Sequence, residues 1–267
     1  MSLDEATAER FAADLENAER ERRQIPQISD RLPGMTMADA YAIQRAWMSL
    51  KLAKGLKPIG HKIGLTSRAM QKSVNITEPD SGLLLESMLF GEGQDIPVER
   101  FIEPRVEVEL AFILSRRLAG PYVTIFDVLN ATEYVVPALE IIDARIMRTQ
   151  PNGRTRTVLD TIADNAANAG IIIGGRPVRP DALDLRWVSA ILYRNAVVEE
   201  SGVAAAVLNH PANGPAWLAK RLHSTGAALE AGQIILGGSF TSFVHARRGD
   251  TFHVDYGPLG SIAAKFV

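Results

Sequence analysis

The sequence predicts a β-rich α+β fold, and three observations carry that expectation. From residue 58 onward, apolar runs of strand length outnumber helical stretches. Those runs do not alternate regularly with helices, which argues against a TIM barrel or a Rossmann domain. The glycine pairs that follow two of them, Gly174-Gly175 and Gly237-Gly238, complete neither G-x-G-x-x-G nor a phosphate loop.

The first fifty residues read as helical. Residues 3–23 are charged, with Phe11, Leu15 and Ala18 at helical spacing. Pro26 and Pro33-Gly34 interrupt the chain. A second helix starts at Thr36 with Asp39 as its capping-box partner, and Gly55 is its stop. Both helices read as packing elements against a larger body or a sister subunit. Strands are expected at 59–65, 106–114, 134–142, 170–173, 187–194, 232–236, 251–256 and 261–266. Helices are expected at 66–73, 125–131, 160–169 and 214–222, the last marked by Pro215 just inside its start. The chain thus divides into an N-terminal helical segment with the first strand, 1–75, and a β-rich catalytic body, 76–267.

Composition narrows the function classes. A formal net charge of -2, without a Lys/Arg block, points away from nucleic acid and membrane surfaces. There are no cysteines, which excludes disulfides, thiolate metal sites and cysteine nucleophiles. No apolar run approaches the ~20 residues of a transmembrane helix. The N-terminus lacks the pattern of a signal peptide, so a soluble cytoplasmic protein is expected.

The strand around residue 110 carries the first chemical signal. Val106, Val108, Leu110 and Phe112 share one face, and Glu107 and Glu109 share the other, roughly 6.6 Å apart along the strand. Like charges at that spacing repel unless something positive lies between them, and a hard divalent cation suits carboxylate oxygens. The ordinary alternative is a solvated outer face. Ala111 and Ile113 continue the Glu face as apolar positions, which argues for burial. A third carboxylate, Glu140, lies in the apolar run Val135-Val136-Pro137-Ala138-Leu139-Glu140-Ile141-Ile142. It is either a third ligand or half of a buried ion pair with Arg105 or Arg145.

Gly60-His61-Lys62-Ile63-Gly64-Leu65-Thr66 places Lys62 between two glycines on one strand face. The glycines leave room for a ligand or for another backbone. A lysine there suits anion binding or proton transfer, with a pKa depressed beside a cation. His61 faces the other way and reads as structural. Glu78-Pro79-Asp80-Ser81-Gly82 reads as a turn, in which Asp80 either stabilises the turn or closes over a site. Asp160 reads as a helix N-cap in the polar stretch 160–168. Gly237-Gly238-Ser239-Phe240-Thr241 is either a plain turn or a cradle of amides and hydroxyls for a carboxylate. Ser239 lacks a G-x-S-x-G setting, and His210 reads as a loop residue.

Gly60-His61-Lys62-Ile63-Gly64-Leu65-Thr66-Ser67, Glu107-Val108-Glu109, Glu140-Ile141-Ile142-Asp143, Asp164-Asn165-Ala166 and Gly237-Gly238-Ser239 follow one another in this order. Together they resemble the hydratase/decarboxylase branch of the fumarylacetoacetate hydrolase superfamily, from about residue 18 to the C-terminus. The resemblance implies a mixed β-roll or sandwich with N-terminal helices, and Mg²⁺ (or Mn²⁺) held by Glu107, Glu109 and Glu140. It implies a small unsaturated 2-oxo diacid as substrate and a homo-oligomer, pentameric or decameric. The implied reaction is hydration of 2-oxohept-4-ene-1,7-dioate to 4-hydroxy-2-oxoheptanedioate in 4-hydroxyphenylacetate (homoprotocatechuate) catabolism. Lys62 and Asp80 would be the acid/base groups, and Ser239 and Thr241 would bind substrate oxygens. Hydration of 2-hydroxypenta-2,4-dienoate, decarboxylation of 4-oxalocrotonate and a non-catalytic companion subunit are the alternatives.

Overall fold

A computed structural model describes residues 3–73 and 76–267. Its helices are α1 (Glu5–Glu21), α2 (Ile28–Arg31), α3 (Met37–Ala53), α4 (Arg68–Ser73), α5 (Ile125–Ala131), α6 (Val158–Ala163) and α7 (Asn213–His223). Its longer early strands are β1 (Pro58–Gly64) and β2 (Asp80–Leu85), followed by the two-residue strands β3 (Leu89–Phe90) and β4 (Asp95–Ile96). The central ones are β5 (Arg105–Leu114), β6 (Thr132–Ile142) and β7 (Asn168–Ile173). The C-terminal ones are β8 (Ser189–Arg194), β9 (Val197–Val203), β10 (Ile234–Leu236), β11 (Val244–His245), β12 (Thr251–Asp255) and β13 (Ser261–Phe266).

Local chemistry explains the N-terminal helices. Asp4 caps α1 by accepting from the Thr7 N–H at 2.9 Å. Thr36 and Asp39 form the expected capping box of α3. Phe11 and Leu15 of α1 and Ile43 and Trp47 of α3 bury their side chains together with Leu85, Ile146 and Ile162 from later in the chain. The helices therefore pack on the body of their own chain. Asp160 is not an N-cap: Thr157 caps α6, and Asp160 is the carboxylate partner of that capping box. It also accepts from the Ser29 N–H and hydroxyl at 2.8 and 2.7 Å, tying α6 to α2.

Two mixed sheets face each other. One runs β2-β1-β10-β5-β6-β7-β3, with β11 also on β5; the other runs β4-β13-β12-β8-β9. β1 lies parallel to β10 and antiparallel to β2. β1 and β2 thus belong to one sheet. The core fills the space between the sheets. Val106, Val108, Leu110 and Phe112 of β5 meet Phe252 and Val254 of β12 and Ile262 and Phe266 of β13. This is the wholly apolar face of the alternation. The opposite face of β5 packs a smaller cluster that includes Ala111, Ala138, Ile171 and Leu236. The carboxylate face therefore continues into buried apolar residues, and Glu109 and Glu140 are themselves buried.

The segment expected to be a turn at 78–82 differs. Asp80 opens β2, and Gly64 and Asp80 are cross-strand partners. The Pro79-Asp80-Ser81-Gly82 composition favours a turn locally, but pairing along β1 overrides it. The polar edge strand β9 and the two-residue strands β3, β4 and β11 lack an apolar alternation of their own and are set by neighbours. Among the described residues no helix is long and apolar enough to cross a membrane.

Gly60 lets β1 approach β10. A Cβ there would lie 1.8 Å from the Ile234 carbonyl oxygen. Gly60→Ala is expected to destabilise the protein by about 3 kcal/mol or more, read by chemical denaturation. A wild-type midpoint would show that the strands do not approach this closely.

Candidate metal and acid/base site

β5 and β6 bring three carboxylates together by register alone. Glu107 and Glu140 are direct cross-strand partners, and Glu109 lies opposite Ala138 on the same face. One oxygen from each of Glu107, Glu109 and Glu140 lies within 4.8 Å of the others. Glu109 and Glu140 are 1% and 0% exposed, and Glu107 opens onto a cavity of about 590 Å³. Like charges placed opposite one another destabilise a sheet, so the cluster requires positive charge nearby.

Lys62 supplies part of it. Its Nζ lies 3.3 Å from Glu140 Oε1 and donates to the Ala166 carbonyl at 3.0 Å. Glu140 thus pairs with Lys62, not with an arginine. Arg145 is engaged by Asp164 at 2.6 Å, and Arg105 lies 3.6 Å from Glu103. Asp80 completes the group. Both heads approach Gly64: a Cβ there would lie 2.2 Å from Asp80 Oδ1 and 2.9 Å from Lys62 Nζ. The two glycines flanking Lys62 therefore do different jobs. Gly60 admits a backbone, and Gly64 admits the Asp80 and Lys62 side chains.

Electrostatics follow from burial and crowding. Burial, reinforced by Glu140 and opposed by Lys62, raises both Glu107 and Glu109. Asp80 is raised by burial against the pull of Lys62. Burial alone would lower Lys62, but Glu140, Asp80, Glu107 and Glu109 outweigh it and hold the ammonium above the usual lysine range. In this arrangement of protein groups the lysine is raised, not depressed, because four carboxylates surround it.

The oxygens left over fit a hard cation. Glu109 Oε1 and Glu140 Oε2 are buried without a hydrogen-bond partner among the described residues. Their sister oxygens are held: Gly238 N–H donates to Glu109 Oε2 at 2.8 Å, and Asn168 Nδ2 donates to Glu140 Oε1 at 2.8 Å. Each carboxylate is thus oriented by one oxygen and leaves the other unmatched. Three carboxylates without histidine or cysteine form a donor set for Mg²⁺, Mn²⁺ or Ca²⁺ and not for structural zinc.

The glycine turn serves the carboxylate cluster. Its amide at Gly238 holds the protein's own Glu109. Gly238 has φ +116°, and a Cβ there would lie 2.3 Å from the Thr66 hydroxyl. Ser239 and Thr241 line the same cavity as Glu107. The Ser239 hydroxyl is engaged within the turn, donating to the Thr241 carbonyl at 3.0 Å. Thr241 Oγ1 is buried and has no hydrogen-bond partner among the described residues. His61 lines a separate cavity with Tyr41 and Arg221, and burial lowers its pKa to about 4. His210 Nδ1 accepts from the Ala212 N–H at 3.1 Å, which stabilises its loop.

Two contributors to the site were not singled out from sequence: Asn168 and the Ala166 carbonyl. The signal for Asn168 was a short polar side chain at the start of an apolar strand. Backbone groups leave no such signal.

Comparison with known proteins places this geometry in context. The chain is 61% identical over 266 residues to 2-oxo-hept-4-ene-1,7-dioate hydratase of Escherichia coli, covering 99% of this chain and 100% of that one. It is 37% identical over 266 residues to a 2-keto-4-pentenoate hydratase of Burkholderia vietnamiensis, covering 100% and 99%. Its fold matches 4-oxalocrotonate decarboxylase from Pseudomonas putida G7, solved with magnesium and adipate. The TM-score is 0.95 at 33% identity, covering 100% of this chain and 99% of that one. Residues 47–267 match the fumarylacetoacetate (FAA) hydrolase C-terminal domain, and the chain belongs to that family.

Proposed function

We propose that this protein is a divalent-metal-dependent hydro-lyase that adds water to 2-oxohept-4-ene-1,7-dioate, giving 4-hydroxy-2-oxoheptanedioate in 4-hydroxyphenylacetate catabolism. The observation that carries the reading is the approach of Lys62 and Asp80 to Gly64, beside three clustered carboxylates of which two leave a buried oxygen unmatched. The 61% identity to a hydratase of this diacid supports the substrate. Magnesium and adipate in the related decarboxylase support a divalent cation and a dicarboxylate.

Glu107, Glu109 and Glu140 would hold Mg²⁺, or Mn²⁺ in its place. When bound, the cation supplies Lewis acidity at the substrate's 2-oxo group and charge compensation as negative charge develops there. The residues of the chain do the rest. The Gly238 amide and Asn168 fix the carboxylate orientations. Asp80, a buried carboxyl raised above its ordinary range, would take the C3 proton and return it at C5, which moves the double bond into conjugation with the 2-oxo group. It would then take a proton from the water that adds at C4 and return it at C3. Lys62 stays charged among the carboxylates and stabilises the ionised Asp80. Thr241 offers its unpartnered hydroxyl to a substrate oxygen, and Ser239 shapes the turn that presents it.

Decarboxylation of 4-oxalocrotonate is the second reading, favoured by the 0.95 TM-score to a decarboxylase. We further propose a cytoplasmic homo-oligomer, a pentamer or decamer. Trp187, Val197 and Val198 are exposed on and beside the edge hairpin and offer an apolar contact surface.

Incubation with Mg²⁺ and 2-oxohept-4-ene-1,7-dioate is expected to give a product heavier by one water, read by mass spectrometry. Loss of carbon dioxide from 4-oxalocrotonate, without water addition to the heptenedioate, would favour the decarboxylase. Glu107→Gln is expected to lose Mg²⁺ binding by calorimetry together with turnover; unchanged affinity would remove Glu107 from the ligand set. Lys62→Met is expected to bind Mg²⁺ and lower kcat by at least roughly 100-fold, and full activity would exclude Lys62 from the chemistry.

The pH dependence has a definite sign. Glu107 is pushed from 4.5 up to about 7, so the metal-free native state keeps a proton that the unfolded chain loses. Stability of the metal-free protein therefore falls as pH rises from 4.5 to about 7. The cation requires the ionised form, so its affinity should weaken below about pH 7, by about tenfold per pH unit for each proton displaced. Calorimetric titration with Mg²⁺ at pH 6 and pH 8 checks this, and equal affinities would contradict it.

A further inference from the structure

The link between α6 and β7 has a shape that the proposed chemistry does not by itself require. Asn165, Ala166 and Ala167 have φ of 51°, 53° and 58°. Three successive left-handed residues without a glycine are disfavoured by L side chains and persist only where the surroundings fix them.

Those surroundings are specific. The Asn165 side chain brackets one residue of β2: its Oδ1 accepts from the Leu83 N–H at 2.8 Å, and its Nδ2 donates to the Leu83 carbonyl at 2.9 Å. Gly82 makes the approach feasible, since a Cβ there would lie 2.5 Å from the Asn165 carbonyl oxygen. On the other flank, Arg145 grips Asp164 through its side chain and its own backbone N–H, at 2.6 and 2.8 Å. The bend then presents two groups to the site. The Ala166 carbonyl lies 3.0 Å from Lys62 Nζ, and Asn168 Nδ2 lies 2.8 Å from Glu140 Oε1.

We propose that Asn165 is a positioning residue. By pinning the left-handed bend to β2, it fixes the Ala166 carbonyl that aims the Lys62 ammonium. Lysine is a flexible four-carbon stem with three rotatable donors. One donor held by a fixed carbonyl, beside Glu140 Oε1 at 3.3 Å, leaves the head one orientation towards the reacting groups. The inference rests on the acid/base reading of Lys62 given above.

The test uses the full-length, Mg²⁺-loaded protein with Asn165→Gly and Asn165→Ala. Glycine tolerates the left-handed backbone but removes the bracket, so it separates the side chain's role from the backbone's. In both variants kcat is expected to fall roughly 10- to 100-fold, while KM and Mg²⁺ affinity change by less than about threefold. Acylation of Lys62, read by peptide mass, should rise, while Lys51, another buried lysine on α3, stays protected. Wild-type kcat in Asn165→Gly, a loss carried by KM or Mg²⁺ affinity, or an unchanged Lys62 labelling rate would overturn the proposal. If Lys51 also labels, the variant has unfolded, and Gly82→Ala replaces it. That Cβ displaces the same bend with the bracket present, and it must give the same separation of kcat from KM; wild-type kcat would refute the inference. If the wild-type protein itself adds no water to the diacid, the proposed function falls, and Lys62 labelling alone decides the role of Asn165.

Discussion

The structure turns on charge crowding between two neighbouring strands. The β5–β6 register sets Glu107 against Glu140, with Glu109 two residues along the same face. That pairing is unfavourable for a sheet on its own terms. It is tolerated because Lys62 of β1 lies against Glu140 and because two buried carboxylate oxygens are left free for an outside charge. The remaining features of the site serve this arrangement. Gly64 clears space for Asp80 and Lys62, Gly238 turns the chain so that its amide reaches Glu109, and Asn168 holds Glu140.

Burial makes the arrangement effective. One face of β5 builds the main core between the two sheets, and the other passes from carboxylates into a small apolar cluster around Ala111 and Ala138. The carboxylates therefore sit in a poorly solvated setting where charge interactions are stronger than in water. The same burial that penalises three ionised glutamates raises the value of any cation that neutralises them. A single strand thus supplies both the core that fixes its position and two of the three clustered carboxylates on its opposite side.

Much of this was legible in the sequence. Alternation along 106–114 assigned the two faces, and Glu140 declared itself as an acid within an apolar run. The Thr36/Asp39 capping box was explicit. Asp80 was the harder case, because Pro79-Asp80-Ser81-Gly82 has turn composition and only pairing with β1 makes it a strand. Asp160 was assigned to the wrong end of a capping box, since Thr157 and Asp160 are both good capping residues and only the backbone decides between them. The left-handed bend at 165–167 was invisible: two alanines carry no local preference for that conformation, and the forces that hold it come from Leu83, Gly82 and Arg145, far away in sequence.

The parallel pairing of β1 with β10 has a consequence for how the protein is made. Residues 60–62 hydrogen-bond alongside residues 234–236, and Gly238 reaches back to Glu109. Contacts of such long sequence separation are slow to close. During synthesis the three glutamates leave the ribosome well before β10 and the Gly238 turn exist to complete their surroundings. The nascent chain therefore carries its three acidic residues for about a hundred further residues of synthesis without their completed surroundings, and the proposed cation capture would be a late event that coincides with closure of the sheet.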